Sequence, residues 1–141
     1  LKQVREGDRL EVRGPYGFFL SDAAPADDRK LLFLSSGTGI APFHSFVKTH
    51  PGADYRIIHG VRNLDEAYNS VDYRRDRLTV CTSRKEDGDY HGRLTDYLLD
   101  ADLDPEYQVY LCGNSHMIFD AMDILQARGI PQRQIHTEVY F

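Results

Sequence analysis

The chain has little of what marks several protein classes. Two cysteines in 141 residues, Cys81 and Cys112, are too few for a disulfide framework. They suit a reducing setting, which predicts a cytoplasmic protein. No apolar run approaches the ~20 residues that span a bilayer. Residues 1–7 carry charges but no apolar stretch of a secretion signal. Basic residues do not dominate: 17 Lys and Arg face 22 Asp and Glu, a net charge of −5. That balance argues against a nucleic-acid binder, which needs a basic face. There is no low-complexity tract and no internal repeat at solenoid spacing. The first residue is Leu rather than Met, which suggests a piece of a longer chain.

What is present is an ordinary globular mix, 41% hydrophobic and 28% charged. A chain of this length buries roughly two-thirds of its unfolded surface and needs no staple. A small, acidic, Pro-bearing stretch at 22–29 separates a short opening from a longer body and reads as a linker. The opening reads as β: residues 9–13 alternate polar and apolar after a Gly7-Asp8 turn pair, and Phe18-Phe19-Leu20 follow a break at Gly14-Pro15-Tyr16-Gly17. Two short strands cannot bury their faces alone. They must pack on the body or on a partner domain.

In the body, Leu31-Leu32-Phe33-Leu34 is continuously apolar, as a central parallel strand covered on both faces must be. Further strands are expected at 55–60, 78–83, 108–112 and 134–140. Helices are expected between them at 42–49, 65–75, 94–99 and 115–128. The last has the clearest signal. Ile118, Ala121, Met122 and Leu125 form one stripe, Asn114 or Ser115 can cap its start, and Gly129 with Pro131 ends it. Such alternation predicts an α/β fold: a doubly wound, five-stranded parallel sheet flanked by helices, with strand order 3-2-1-4-5. Ligands of such sheets bind beyond the carboxyl ends of the strands.

The residues there are suggestive. After the first strand come Gly37, Thr38, Gly39 and Pro42. This is either a plain turn or a cradle whose free N–H groups meet a phosphate or pyrophosphate. After the second, Arg62 is either solvated or a phosphate contact. After the third, Ser83 and Arg84, with Arg93 nine residues on, make either a surface charge cluster or a clamp for a phosphate monoester. A reader of a free ribose diol would want an acidic residue at that tip, so the pattern tilts to NADP over NAD. Tyr90 could stack on an adenine. After the fourth, Cys112 is either a partly exposed thiol with a lowered pKa at a helix start or a buried structural one. Gly113 admits a flat ring. His116 has no second ligand at metal spacing, so no metal site is expected. The last strand brings Glu138 and two aromatics to the chain's end.

Gly14-Pro15-Tyr16-Gly17-Phe18, Gly37-Thr38-Gly39-Ile40-Ala41-Pro42, Gly60-Val61-Arg62, Ser83-Arg84, Cys112-Gly113 with Met117, and Glu138-Val139-Tyr140 occur in one order across nearly the whole chain. Together they resemble the pyridine-nucleotide half of the ferredoxin–NADP⁺ reductase family. The resemblance implies a two-domain flavoenzyme, with an N-terminal barrel holding FAD and this domain holding NADP(H). Residues 1–26 would be the end of that barrel and a linker, and 27–141 the NADP(H) domain. The barrel's Arg-x-Tyr-Ser/Thr flavin motif is absent, so the fragment alone is expected to be inactive. The resemblance implies that Gly37, Thr38 and Gly39 hold the pyrophosphate and that Ser83, Arg84 and Arg93 hold the 2′-phosphate. Cys112 and Glu138 would flank the nicotinamide as catalytic residues, and Tyr140 or Phe141 would cover the flavin. The implied activity is hydride transfer between NADP(H) and FAD, with electrons passed on to an iron–sulfur protein or flavodoxin. Two other readings are an oxygenase reductase or flavohemoprotein-like module on the same fold, and a receiver-like signalling module. The last would want clustered aspartates at the strand ends.

Overall fold

The computed structural model describes residues 4–14, 19 and 29–140. Its centre is a six-stranded sheet, all parallel: β1 (Leu31–Ser36), β2 (Tyr55–Val61), β3 (Leu78–Thr82), β4 (Tyr90–His91), β5 (Gln108–Gly113) and β6 (Ile135–Val139), in spatial order β4-β3-β2-β1-β5-β6. The five expected strands stand in the expected order. The sixth is the two-residue β4, which extends the sheet at its β3 edge and is too short to leave a periodic signal.

β1 is central because both of its faces are apolar. Leu31 and Phe33 point to one side, Leu32 and Leu34 to the other, and all four are buried. On the first side lies α1 (Ala41–Thr49), with Phe43 stacked on Phe33 at 4.6 Å between ring centroids. Tyr110 packs edge-on to Phe33 on this side, and Phe19 reaches in to meet both Phe43 and Tyr110. On the second side lie α2 (Leu94–Asp100) and α3 (Ser115–Ala127), sealed by Leu94, Leu98, Ile118, Ala121 and Leu125. The Asn114 side chain caps α3 by accepting the N–H groups of His116 (3.0 Å) and Met117 (3.4 Å).

Two expectations fail. Residues 65–75 are not a helix but part of a run of single 3₁₀ turns at Leu64–Glu66, Ser70–Asp72 and Arg75–Arg77. The buried residues there, Ala67 and Tyr73, are six apart and make no helical stripe. Val71 is 93% exposed, and Asn69 breaks the chain at φ 57°. The opening strand at 9–13 is likewise unpaired. Val12 is 89% exposed, because alternation without a ladder partner holds no strand. The turn before it does form, with the Asp8 N–H donating to Arg5 O at 3.1 Å. Residues 15–18, 20–28 and 141, and with them the proposed linker and the 26/27 boundary, lie outside the described residues. Among the described residues, no helix is long and apolar enough to cross a membrane.

Candidate functional site

The carboxyl ends of β1 and β5 are locked together at the backbone. Ser36, the last residue of β1, accepts the Asn114 N–H on its hydroxyl at 3.0 Å. A Cβ on Gly39 would lie 2.2 Å from the Cys112 carbonyl oxygen. One on Gly113, at φ 137°, would lie 2.4 Å from Ser36 Oγ. These two glycines are therefore required by chain crossing. Gly37 differs: it has φ 53°, and a Cβ there would meet nothing within 4 Å. Its open side borders a cleft.

The cleft, of about 560 Å³, opens on the α2/α3 side of the strand tips. Of the residues singled out from sequence it gathers Gly37, Arg62, Ser83, Arg93 and Met117. The third strand's tip is tied to the second's. Ser83 N–H donates to Val61 O (3.1 Å) and Arg84 N–H to Arg62 O (3.0 Å), which leaves the Arg84 side chain exposed beside Ser83. Arg93 starts α2, its N–H held by the Asp96 carboxylate at 2.9 Å. Two guanidiniums, a hydroxyl and an open glycine in one cleft suit a phosphorylated ligand. Glu66, His116 and Asp120 line it too and were not anticipated as site residues. Glu66 carried a signal, a carboxylate four residues after Arg62, but it was obscured by the expected helix. Tyr90 stands off the cleft wall, half-buried, with its ring 5.3 Å from Tyr97.

Cys112, Glu138 and Tyr140 gather across the tips, on the α1 side. Cys112 pairs with Glu138 across β5 and β6, and Tyr140 N–H donates to Gly113 O at 3.0 Å. The Tyr140 side chain lies next to the Cys112 thiol. Thr38 is exposed, next to Gly39, and Pro42 lies in the first turn of α1. Of the two readings of Cys112, the exposed, low-pKa one is overturned. The thiol is fully buried, and burial, reinforced by the Glu138 carboxylate, pushes it up to about 12. Strand alternation turns it to the α1 side with Tyr110. The first N–H groups of α3 are meanwhile taken by the Asn114 side chain, so the helix start does not serve the thiol. The Tyr140 hydroxyl is also raised to about 12, by burial first and then by Cys112 and Glu138. Phe141 lies outside the described residues.

Comparison with known proteins agrees with this architecture. The family model for the oxidoreductase NAD-binding domain matches residues 33–123. The chain is similar to the phenol hydroxylase P5 protein of Acinetobacter pittii, 29% identical over 97% of this chain and 43% of that protein. It is also similar to the ferredoxin–NAD(P)⁺ reductase CarAd of Metapseudomonas resinovorans, 27% identical over 97% of this chain and 45% of the relative. Among solved structures, the Amycolatopsis cytochrome P450 reductase GcoB shares the fold, with TM-score 0.74 and 24% identity over 96% of this chain and 46% of that one. The chain thus spans under half the length of these relatives. A matching domain family, a six-stranded parallel sheet and a phosphate-suited cleft at its strand tips agree: the chain belongs to the oxidoreductase NAD-binding domain family, the nucleotide half of ferredoxin–NADP⁺ reductase-like flavoenzymes.

Proposed function

We propose that this chain is the NADP(H)-binding half of a flavin-dependent reductase that moves hydride between NADP(H) and FAD. In this reading residues 1–26 end an FAD-binding barrel and 27–141 form the nucleotide domain. FAD is held mostly by an N-terminal domain. The carrying observation is that Arg62, Ser83 and Arg93 converge on one cleft bordered by the open side of Gly37. The Gly37–Gly39 turn with Thr38 and Pro42, and Arg62, hold the pyrophosphate. Ser83, Arg84 and Arg93 hold the 2′-phosphate, and Tyr90 borders the adenine. Met117, on the cleft wall, borders the nicotinamide's approach toward Glu138, with the buried Gly113 and Cys112 behind that position.

The nicotinamide and flavin supply the hydride and single-electron chemistry when bound; the chain supplies orientation and polarity. Cys112 stays a neutral thiol and Tyr140 a neutral phenol, both next to Glu138. Tyr140, 44% exposed just after β6, or else Phe141, covers the flavin. Electrons pass on to an iron–sulfur protein or flavodoxin. A second reading, favoured by a relative named for phenol hydroxylase, sends them to an oxygenase instead. Both thiols are free and buried, which suits the reducing cytoplasm.

Titration of the chain with NADPH and NADH tests the reading. NADPH is expected to bind more tightly. Arg84→Ala or Arg93→Ala is expected to weaken NADPH by about 1.5–3 kcal/mol, the range of a charge-assisted contact, and leave NADH nearly unchanged. Equal affinity for the two nucleotides would remove the 2′-phosphate assignment.

A further inference from the structure

The cations of the cleft are not equivalent. Arg93 faces no carboxylate in an ion pair among the described residues, whereas Arg62 does. Its Nε lies 3.3 Å from Glu66 Oε2, and the same oxygen accepts Arg62's own backbone N–H at 3.3 Å. Both side chains line the cleft. The pair sits on a braced loop. Leu64 N–H donates to Asp87 Oδ1 at 3.3 Å, and Arg62 O accepts the Arg84 N–H. The carboxylate is thus held by the main chain on the guanidinium that would meet a phosphate.

We propose that Glu66 is a built-in competitor: its carboxylate occupies Arg62, and the pyrophosphate of an incoming nucleotide must displace it, so that Glu66 sets how tightly the cleft holds NADPH and NADH alike. The inference rests on the nucleotide-binding reading above and adds a specificity-neutral tuning residue to it. Arg62 is 61% exposed, so the pair it makes with Glu66 is a weak one that a dianion can replace. The exchange trades one anion for another on Arg62. It lowers affinity and speeds release without distinguishing nucleotides by their 2′ substituent.

Calorimetric titration of the 141-residue chain with NADPH, NADH and inorganic pyrophosphate tests this in the wild type, Glu66→Gln, Arg62→Gln and the double variant. Glu66→Gln is expected to bind all three ligands about two- to five-fold more tightly, the factor a released surface pair supplies. Arg62→Gln is expected to bind them more weakly, and adding Glu66→Gln to it to change little. Unchanged or weaker binding by Glu66→Gln overturns the proposal and makes the carboxylate a direct ligand contact or a loop brace. Tightening confined to NADPH overturns it by placing Arg62 at the 2′-phosphate. Equal tightening in the Arg62→Gln background overturns it too, since the effect would then be a general field rather than competition for one guanidinium. A wild type that binds pyrophosphate but neither nucleotide instead overturns the nucleotide reading itself, and this proposal with it.

Discussion

The two sides of the sheet's carboxyl end differ in how they treat charge. On the α2/α3 side, guanidiniums and carboxylates line an open cleft, wet enough for ion pairs to exchange. On the α1 side, Gly39 presses on the Cys112 carbonyl, and a thiol and a phenol are both held neutral by burial. One strand end thus serves two environments because alternate residues face opposite ways. Cys81 of β3 belongs to the α2/α3 cluster and Cys112 of β5 to the α1 cluster. In the proposed function this divides the labour, with phosphates read by exposed cations and the reacting ring met by a neutral thiol and phenol with Glu138 beside them.

The largest expected effect tests whether the α1 side is closed. With Cys112 raised from 9.0 to about 12, its thiolate fraction near neutral pH falls by about a thousandfold relative to a free thiol. Cys81 is raised to about 12 as well, first by burial and then by Asp89 and Asp96. Alkylation of the folded chain by iodoacetamide, followed by mass spectrometry, is expected to leave both cysteines unmodified until denaturant is added. Rapid modification of Cys112 alone would show that the α1 side opens, and the contrast between the two sides would lapse.

A smaller effect probes the same side deeper in. His59 is fully buried, its Nδ1 2.8 Å from Ser35 Oγ, and burial lowers its pKa from 6.5 to about 4, partly opposed by the Ser35 main chain. Because the folded value lies below the unfolded one, the unfolded chain takes up the proton first as pH falls. This stability is fully present above about pH 6.5, declines as pH drops toward about 4, and changes no further below that. The loss expected from this one group is about 3 kcal/mol. Urea unfolding across that window should show it, and His59→Leu should flatten that part of the profile. An unchanged slope in the variant would assign the acid sensitivity elsewhere.

Legibility in the sequence followed the same division. The β1 run Leu31–Leu34 and the stripe and cap of α3 announced themselves, since burial on both faces and on one face leave distinct patterns. The two-residue β4 did not, because two residues paired with Cys81 and Thr82 leave no periodic signal in the sequence. Residues 65–75 misled because a stretch of helical length between two strands invites a helix, yet this one is largely Asp, Asn, Ser, Tyr and Val and carries no apolar stripe. In the site, Gly37, Arg62, Ser83, Arg93 and Met117 could be picked out because a parallel sheet brings strand tips together whatever their separation in the chain. The burial of Cys112 could not, because it comes from packing with residues distant in sequence such as Ile40 and Phe43. Glycine types were also indistinguishable by sequence: Gly39 is small for its neighbour's sake and Gly37 for its own backbone.

That last distinction gives the smallest expected effect and sharpens the comparison most directly. At Gly37 the only cost of a side chain is the left-handed backbone, since a Cβ there points into open space. Gly37→Ala should therefore cost about 1 kcal/mol of stability, and Gly37→Asn less, because Asn tolerates that conformation. Urea midpoints of the two variants measure both. A loss several times larger would mean that the cleft side of the turn is as tightly closed as the Cys112 side. The open edge where the pyrophosphate is placed would then not exist, and the cations of the cleft would face solvent rather than a ligand's approach.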